Sequence, residues 1–172
     1  MPTTVLVTWA TRYGSTEEVA HAIADDLLKQ KFAVTAQPMS QVGSLERYQA
    51  VVMGFALYIG RIHKDARHFL VAHRVQLVQR PVALFALGPV HAEEKEFADA
   101  RKQLEKELAK FPWFSPVARQ IIGGRFDPQK LRFPFTFLPV LRNVPASDAR
   151  DWDAIHAWAG NLPSTLVAAP MR

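Results

Sequence analysis

Cysteine is absent from the 172 residues. That removes disulfides, thiolate nucleophiles, iron–sulfur clusters and cysteine-ligated zinc from consideration, and it fits a cytoplasmic protein. No apolar run approaches the roughly 20 residues that a membrane-spanning helix needs. The opening Met1-Pro2-Thr3-Thr4 has no basic stretch, so no signal peptide is expected. Two nucleotide-binding patterns are missing as well. G-x-G-x-x-G does not occur, which excludes the dinucleotide fingerprint, and G-x-x-x-x-G-K-[ST] does not occur, which excludes a P-loop NTPase. Acidic residues are the scarcer charge, 16 against 21 Lys and Arg, for a net charge of +5. This balance favours anionic partners, although a charge of that size also serves solubility alone. No helix-turn-helix, zinc-finger or RNP pattern accompanies it, so nucleic acid is not an expected partner. His63, His68, His73 and His91 show no metal-ligand spacing, and no metal site is expected.

What is present is an alternation of strand and helix patterns. Val5–Val7 is a short β-branched run that reads as a buried strand. From Ser15 to Gln30, Val19, Ala20, Ile23, Ala24, Leu27 and Leu28 recur with helical spacing. Ser15 and Glu18 have the S-x-x-E form of a capping box. Phe32–Ala36 alternates like an edge strand. Ala50–Phe55, Val82–Leu87 and Ala118–Ile122 read as further strands. His63–Gln79, Glu93–Phe111 and Asp151–Leu162 read as helices, the last ended by Gly160 and Pro163. Between Ser40 and Tyr48 the helical signal is thin. The order predicts one α/β domain over 1–172, with a doubly wound parallel sheet of five strands ordered 2-1-3-4-5 and helices on both faces. One segment, about 125–149, fits none of these patterns and reads as an irregular insert.

In such a sheet, ligands bind at the carboxyl ends of the strands, where the strand order reverses. The loops expected to meet there are Thr11-Arg12-Tyr13-Gly14-Ser15-Thr16, Ala56-Leu57-Tyr58-Ile59-Gly60, and Leu87-Gly88-Pro89 with Val90. The first offers hydroxyls, a guanidinium, a glycine and the N-terminus of a helix, which together suit a phosphate. It also reads as an ordinary strand–helix turn. The second and third are apolar with glycine and suit a flat aromatic ring; they equally suit a simple cover for the end of the sheet. The insert is basic and aromatic. Arg125, Lys130 and Arg132 lie among Phe126, Leu131, Phe133, Phe135, Phe137 and Leu138, and Pro128, Pro134 and Pro139 oppose a long helix. This composition suits an anionic aromatic substrate or an anionic membrane surface; a covering loop or a subunit contact is the alternative. No residue stands out as a catalytic acid or base.

The stretch T-W-A-T-R-Y-G-S-T-E-E-V-A resembles the phosphate loop of flavodoxins, roughly T/S-x-T-G-x-T, with Thr11, Gly14 and Thr16 on its hydroxyl, glycine and final threonine. Arg12 and Tyr13 depart from the usual small residues. With Arg12 the loop is similar to S-T-R-x-G-x-T of the menaquinone-dependent protoporphyrinogen IX dehydrogenase group. V-V-M-G-F-A-L-Y-I-G-R-I-H, I-I-G-G-R and D-W-D-A-I-H-A-W-A resemble other parts of that group, so the likeness spans about residues 3–162. It implies FMN as cofactor, held by the three loops. It also implies an oxidoreductase that oxidises a porphyrinogen and passes the electrons to a quinone, from the cytoplasm or the inner face of a membrane. A porphyrinogen carries propionates on an apolar macrocycle, which matches the insert. The group's long basic-aromatic helix is not evident here, and a non-catalytic electron carrier with a basic docking face is the alternative. A homo-oligomer is compatible with either.

Overall fold

The computed structural model describes residues 1–133 and 135–168. Seven residues, Thr4–Ala10, form strand β1, and α1 follows over Ser15–Lys29. Strand β2 is Ala33–Pro38, β3 is Ala50–Tyr58, and β4 is the short pair Arg61–Ile62. Helices α2 (Lys64–Ala72) and α3 (Arg74–Val78) lead to β5 (Val82–Leu87). Helix α4 (Glu94–Leu108) leads to β6 (Ala118–Ile122). After β7 (Arg125–Phe126), α5 (Pro139–Arg142) and β8 (Ser147–Asp148), the described chain ends in α6 (Trp152–Ala168). The main sheet runs β2-β1-β3-β5-β6 with every neighbouring pair parallel, and β4 is an antiparallel addition to β3. The five long strands therefore take the order 2-1-3-4-5 that the alternation of elements implies.

Strand residues alternate between two apolar layers. Val5, Val7 and Trp9 of β1 pack under α1 and α6 with Ile23, Leu27, Ile155 and Leu162. Leu6 and Ala10 face the other side, with Phe69 and Leu70 of α2 and Leu104 and Leu108 of α4. Central β3 and β5 are buried on both faces, the burial expected of strands covered by helices on either side. Gly54 is fixed by this packing, because a Cβ there would lie 2.0 Å from the Phe85 ring.

Several local expectations fail for identifiable reasons. Ser15 and Glu18 do not form a capping box. Gly14 is the N-cap at φ +91° with no side-chain cap bond, and its carbonyl accepts from Glu18 N at 3.1 Å. The expected helix His63–Gln79 is two helices. His73 leaves helical geometry between them, its ring tilted against Phe69 at 4.7 Å between centroids. Only a 3₁₀ turn, Met39–Gln41, stands between β2 and β3. Strand β3 continues beyond Phe55 to Tyr58 because β4 supplies a partner for Leu57 and Tyr58. Neither Gly160 nor Pro163 ends α6, since Leu166 beyond them continues the buried stripe and its burial offsets the bond lost at Pro163.

Candidate functional site

The loops after β1, β3 and β5 meet at the carboxyl edge of the sheet. Tyr13 beyond β1 and Ser15 at the start of α1, Ala56 to Tyr58 of β3 with Ile59 of the turn after it, and Leu87 of β5 with Gly88 and Val90 beyond it line a cavity of about 200 Å³. Thr11 and Arg12 lie beside it, on an adjoining cleft of about 930 Å³ that shares Tyr58, Ile59 and Phe135 with the cavity. Gly14, Thr16, Gly60 and Pro89 line neither space. Pro89 is buried, and its carbonyl accepts from Gly124 N.

Several donors of the first loop have no acceptor among the described residues. Helix α1 starts at Ser15, and Glu18 makes its first intrahelical bond, so the N–H groups of Ser15, Thr16 and Glu17 precede the ladder. Thr16 is fully buried, yet its hydroxyl has no partner, and neither has the buried Tyr13 hydroxyl. Thr11 Oγ1 accepts from Gly14 N at 3.0 Å and closes the turn. Arg12 N donates to the Tyr58 hydroxyl at 3.2 Å, tying the first loop to the second.

The second loop is a two-residue hairpin between Tyr58 and Arg61, and both turn residues have positive φ, Ile59 at 49° and Gly60 at 71°. Right-handed strand twist favours such a turn, but a β-branched residue at its first position is strained. Ile59 is also 82% exposed at the mouth of the cavity. Helix α4 holds the hairpin, because buried Glu107 accepts from Ile62 N at 3.4 Å and pairs with Lys110. Burial raises the Tyr58 pKa and outweighs the bond from Arg12, so the phenol stays protonated. Burial also lowers the His63 pKa. Lys64 and Arg12 add to that effect and Asp65 opposes it, leaving the ring neutral near pH 7. His63 Nδ1 accepts from Asp65 N at 3.2 Å, which assigns the proton to Nε2, and the ring lines the cleft.

The insert is not formless. Strands β7 and β8 pair antiparallel at its base, Arg125 with Asp148 and Phe126 with Ser147, and 3₁₀ turns occur at Pro128–Lys130 and Phe135–Phe137. Arg150, whose side chain is 4% exposed, anchors the base to Asp148 and, across the chain, to Glu18 of α1. From there the segment returns as a strap over the site. Leu131, Phe135 and Leu141 form the cavity's far wall, a part of the site that the sequence pattern assigns to the three loops alone. Their apolar character was the available signal. The three basic residues separate. Arg125 is 3.8 Å from Glu18, and it and Lys130 border a small recess with Tyr13 and Ser15; Arg132 borders the open cleft with Arg12, Arg61 and Lys64. Among the described residues no group of three or more His, Cys, Asp or Glu could hold a metal ion, and no helix is long and apolar enough to cross a membrane.

A doubly wound sheet of this strand order, with a donor-rich loop ahead of α1 at its switch point, defines the class of α/β domains to which flavodoxin belongs. A family model described as a flavodoxin domain matches residues 6–136, and the chain belongs to that family. Membership makes FMN the cofactor and electron transfer the class of chemistry. No curated protein matches the chain in sequence. Oxidised flavodoxin 1 of Bacillus cereus is similar in structure, with a TM-score of 0.58 at 14% identity, covering 96% of this chain and 98% of that one. A mutant flavodoxin from Pseudomonas aeruginosa gives 0.56 at 15%, covering 95% and 99%. Rubredoxin oxygen:oxidoreductase from Desulfovibrio gigas gives 0.57 at 15%, covering 97% of this chain and 36% of that one, so the chain spans about a third of its length. At these identities the likeness is one of fold.

Proposed function

We propose that this chain is an FMN-dependent oxidoreductase resembling protoporphyrinogen IX dehydrogenase, which oxidises a reduced anionic aromatic substrate with a quinone as acceptor. The strap carries this reading, because it walls the cavity with apolar side chains and adds Arg132 to the cations of the adjoining cleft.

The residues present fit FMN. Its phosphate needs several donors in one place. The Thr16 hydroxyl is buried and unpartnered, and the N–H groups of the first turn of α1 precede the helical ladder. Gly14 keeps the backbone at a positive φ with open space on its Cβ side. The cavity of about 200 Å³ between Leu57, Tyr58, Leu87 and strap residues Leu131 and Phe135 suits a flat aromatic system. When bound, FMN supplies one- and two-electron redox chemistry. The protein's part is to bind, orient and exclude water. Arg12, Arg61, Lys64 and Arg132 give the cleft a surplus of positive charge over its single carboxylate, Asp65, and favour carboxylate-bearing substrates. Neutral His63 presents Nε2–H there as a hydrogen-bond donor. On the strap, Phe133, Phe137 and Val140 are 72%, 74% and 77% exposed, apolar surface with basic neighbours that suits an anionic membrane surface, where a quinone is found.

The test is steady-state oxidation of protoporphyrinogen IX by the purified flavin-loaded protein with a menaquinone analogue, alongside identification of the heat-released flavin. Quinone-dependent turnover with released FMN supports the proposal. A protein that holds FMN but shows no turnover, and whose flavin is reduced and reoxidised only by protein partners, is the carrier. The exposed Ile59 at the cavity mouth favours that second reading, because it leaves an edge of the site open to direct electron exchange.

A further inference from the structure

Resting on the FMN reading above, we infer that Arg12 is a positioning residue that clamps the strap over the flavin cavity, and that it is not a ligand of the FMN phosphate.

The guanidinium is already engaged. Its Nη2 donates to the Phe133 carbonyl, on the far side of the site and 121 residues along the chain. Its carbon lies 5.1 Å from the centre of the Phe135 ring, within cation–π range, and 5.7 Å from that of Tyr13. The Phe135 ring also walls the flavin cavity, so one side chain fixes both the strap backbone and a residue that faces the ligand. The root of the same side chain is fixed too, since Arg12 N donates to the Tyr58 hydroxyl at 3.2 Å. Arg12 therefore joins the first loop, the second loop and the strap.

The phosphate does not need it. The donors that await an acceptor are the Thr16 hydroxyl and the N–H groups of the first turn of α1. Arg12 borders the open cleft, whereas Tyr13 and Ser15 border the cavity and the recess beneath the strap. A planar guanidinium can donate in its plane while its face lies on a ring, and a lysine ammonium cannot do both. This explains why a large cation stands at a position where the phosphate loop of flavodoxins has a small residue. At its base, where β7 pairs β8, the strap is held by the ion pairs of Arg150 with Asp148 and Glu18. With the base fixed, removing Arg12 should free the middle and leave the base intact.

Arg12→Ala, Arg12→Lys and Phe135→Leu should be compared with the parent chain in three measurements. FMN titration of Arg12→Ala and Arg12→Lys should give dissociation constants within about threefold of the parent. Iodide quenching of the bound flavin should rise severalfold in Arg12→Ala and Phe135→Leu, with Arg12→Lys nearer to Arg12→Ala than to the parent. Trypsin cleavage after Lys130 and Arg132, measured without added FMN, should accelerate severalfold in Arg12→Ala while thermal unfolding moves little. Unchanged cleavage and unchanged quenching would overturn the clamp. A loss of FMN affinity of tenfold or more with unchanged cleavage would make Arg12 a phosphate ligand instead. If the parent itself bound no FMN, the flavin reading would fail, and the cleavage measurement would still decide whether Arg12 holds the strap.

Discussion

At the scale of single residues, two positions near the cavity separate stability from binding. Ile59 is a β-branched residue at φ 49° with its side chain 82% exposed, so it bears conformational strain with little compensating burial. Asn tolerates that region and is favoured before Gly in such turns. Ile59→Asn should raise the unfolding free energy by about 1 kcal/mol, which urea denaturation of the apo and FMN-loaded forms would measure. An unchanged or lower stability would mean that Ile59 gains something from its surroundings that its exposure does not suggest. Thr16 presents the converse case. Its buried hydroxyl lacks a partner, so Thr16→Ala should leave the apoprotein almost as stable as before. FMN affinity should fall by roughly 10- to 150-fold, the value of one charge-assisted hydrogen bond of about 1.5–3 kcal/mol. Gly14→Val should weaken FMN too, but through the backbone, because a Cβ at Gly14 meets no atom within 4 Å while φ is +91°. Flavin titration of the two variants checks both statements; parent-like affinity in both would move the phosphate elsewhere.

At the scale of elements, the regular parts of the fold were legible because each obeys its own period. The long strands and the faces of α1 and α4 follow directly from apolar spacing, and Gly14 ahead of Ser15 marks the loop. What escaped the sequence depends on contacts distant along the chain. The extension of β3 to Tyr58 needs β4, and the break at His73 comes with its packing against Phe69. The continuation of α6 past Pro163 needs the buried position of Leu166. Leu131, Phe135 and Leu141 join the cavity only because the strap's base is pinned to α1 by Arg150. Glu107 is another such contact, a carboxylate on a helix face that looks solvated in sequence but is 2% exposed in the fold. Burial pushes its pKa up. The Lys110 pair and the bond from Ile62 N, aided by Arg67, outweigh this and leave it below the ordinary value. A carboxyl lowered on folding contributes stability above the unfolded value of about 4.3, and that contribution is lost as pH falls through the lower folded value. Glu107→Gln should therefore cost about 1 kcal/mol at pH 7, the half-exposed Lys110 limiting the effect. The two proteins should converge in stability as pH falls through the lowered folded value. A gap that persists in acid would assign the cost to packing and not to charge.

At the scale of the whole molecule, the question is where the net charge of +5 acts. Charge spread evenly over a surface serves solubility, whereas charge gathered at a concave site steers ligands. Arg61, Lys64 and Arg132 border the cleft of about 930 Å³ and are exposed. Among the described residues none of the three forms an ion pair. Arg125, by contrast, faces Glu18 at 3.8 Å, and Lys130 borders the recess with Tyr13 and Ser15, so changing those two would disturb the strap's base and the proposed cofactor site together. The informative variant is the triple change of Arg61, Lys64 and Arg132 to Glu, which takes the net charge from +5 to −1. FMN content should remain that of the parent, because none of the three lines the cavity. If the cleft receives an anionic substrate, kcat/KM for a porphyrinogen should fall by about tenfold or more at low salt, within the range of electrostatic steering. The deficit should narrow as added salt shortens the Debye length to about 8 Å near physiological ionic strength. Sedimentation with anionic vesicles is the second measurement. Loss of vesicle binding with unchanged turnover would assign the charge to a membrane surface, and loss of turnover with unchanged vesicle binding would assign it to the substrate. If both properties survive at every ionic strength, the cations only keep the protein soluble, and the carrier reading takes precedence because the cleft would then have no anionic ligand to steer.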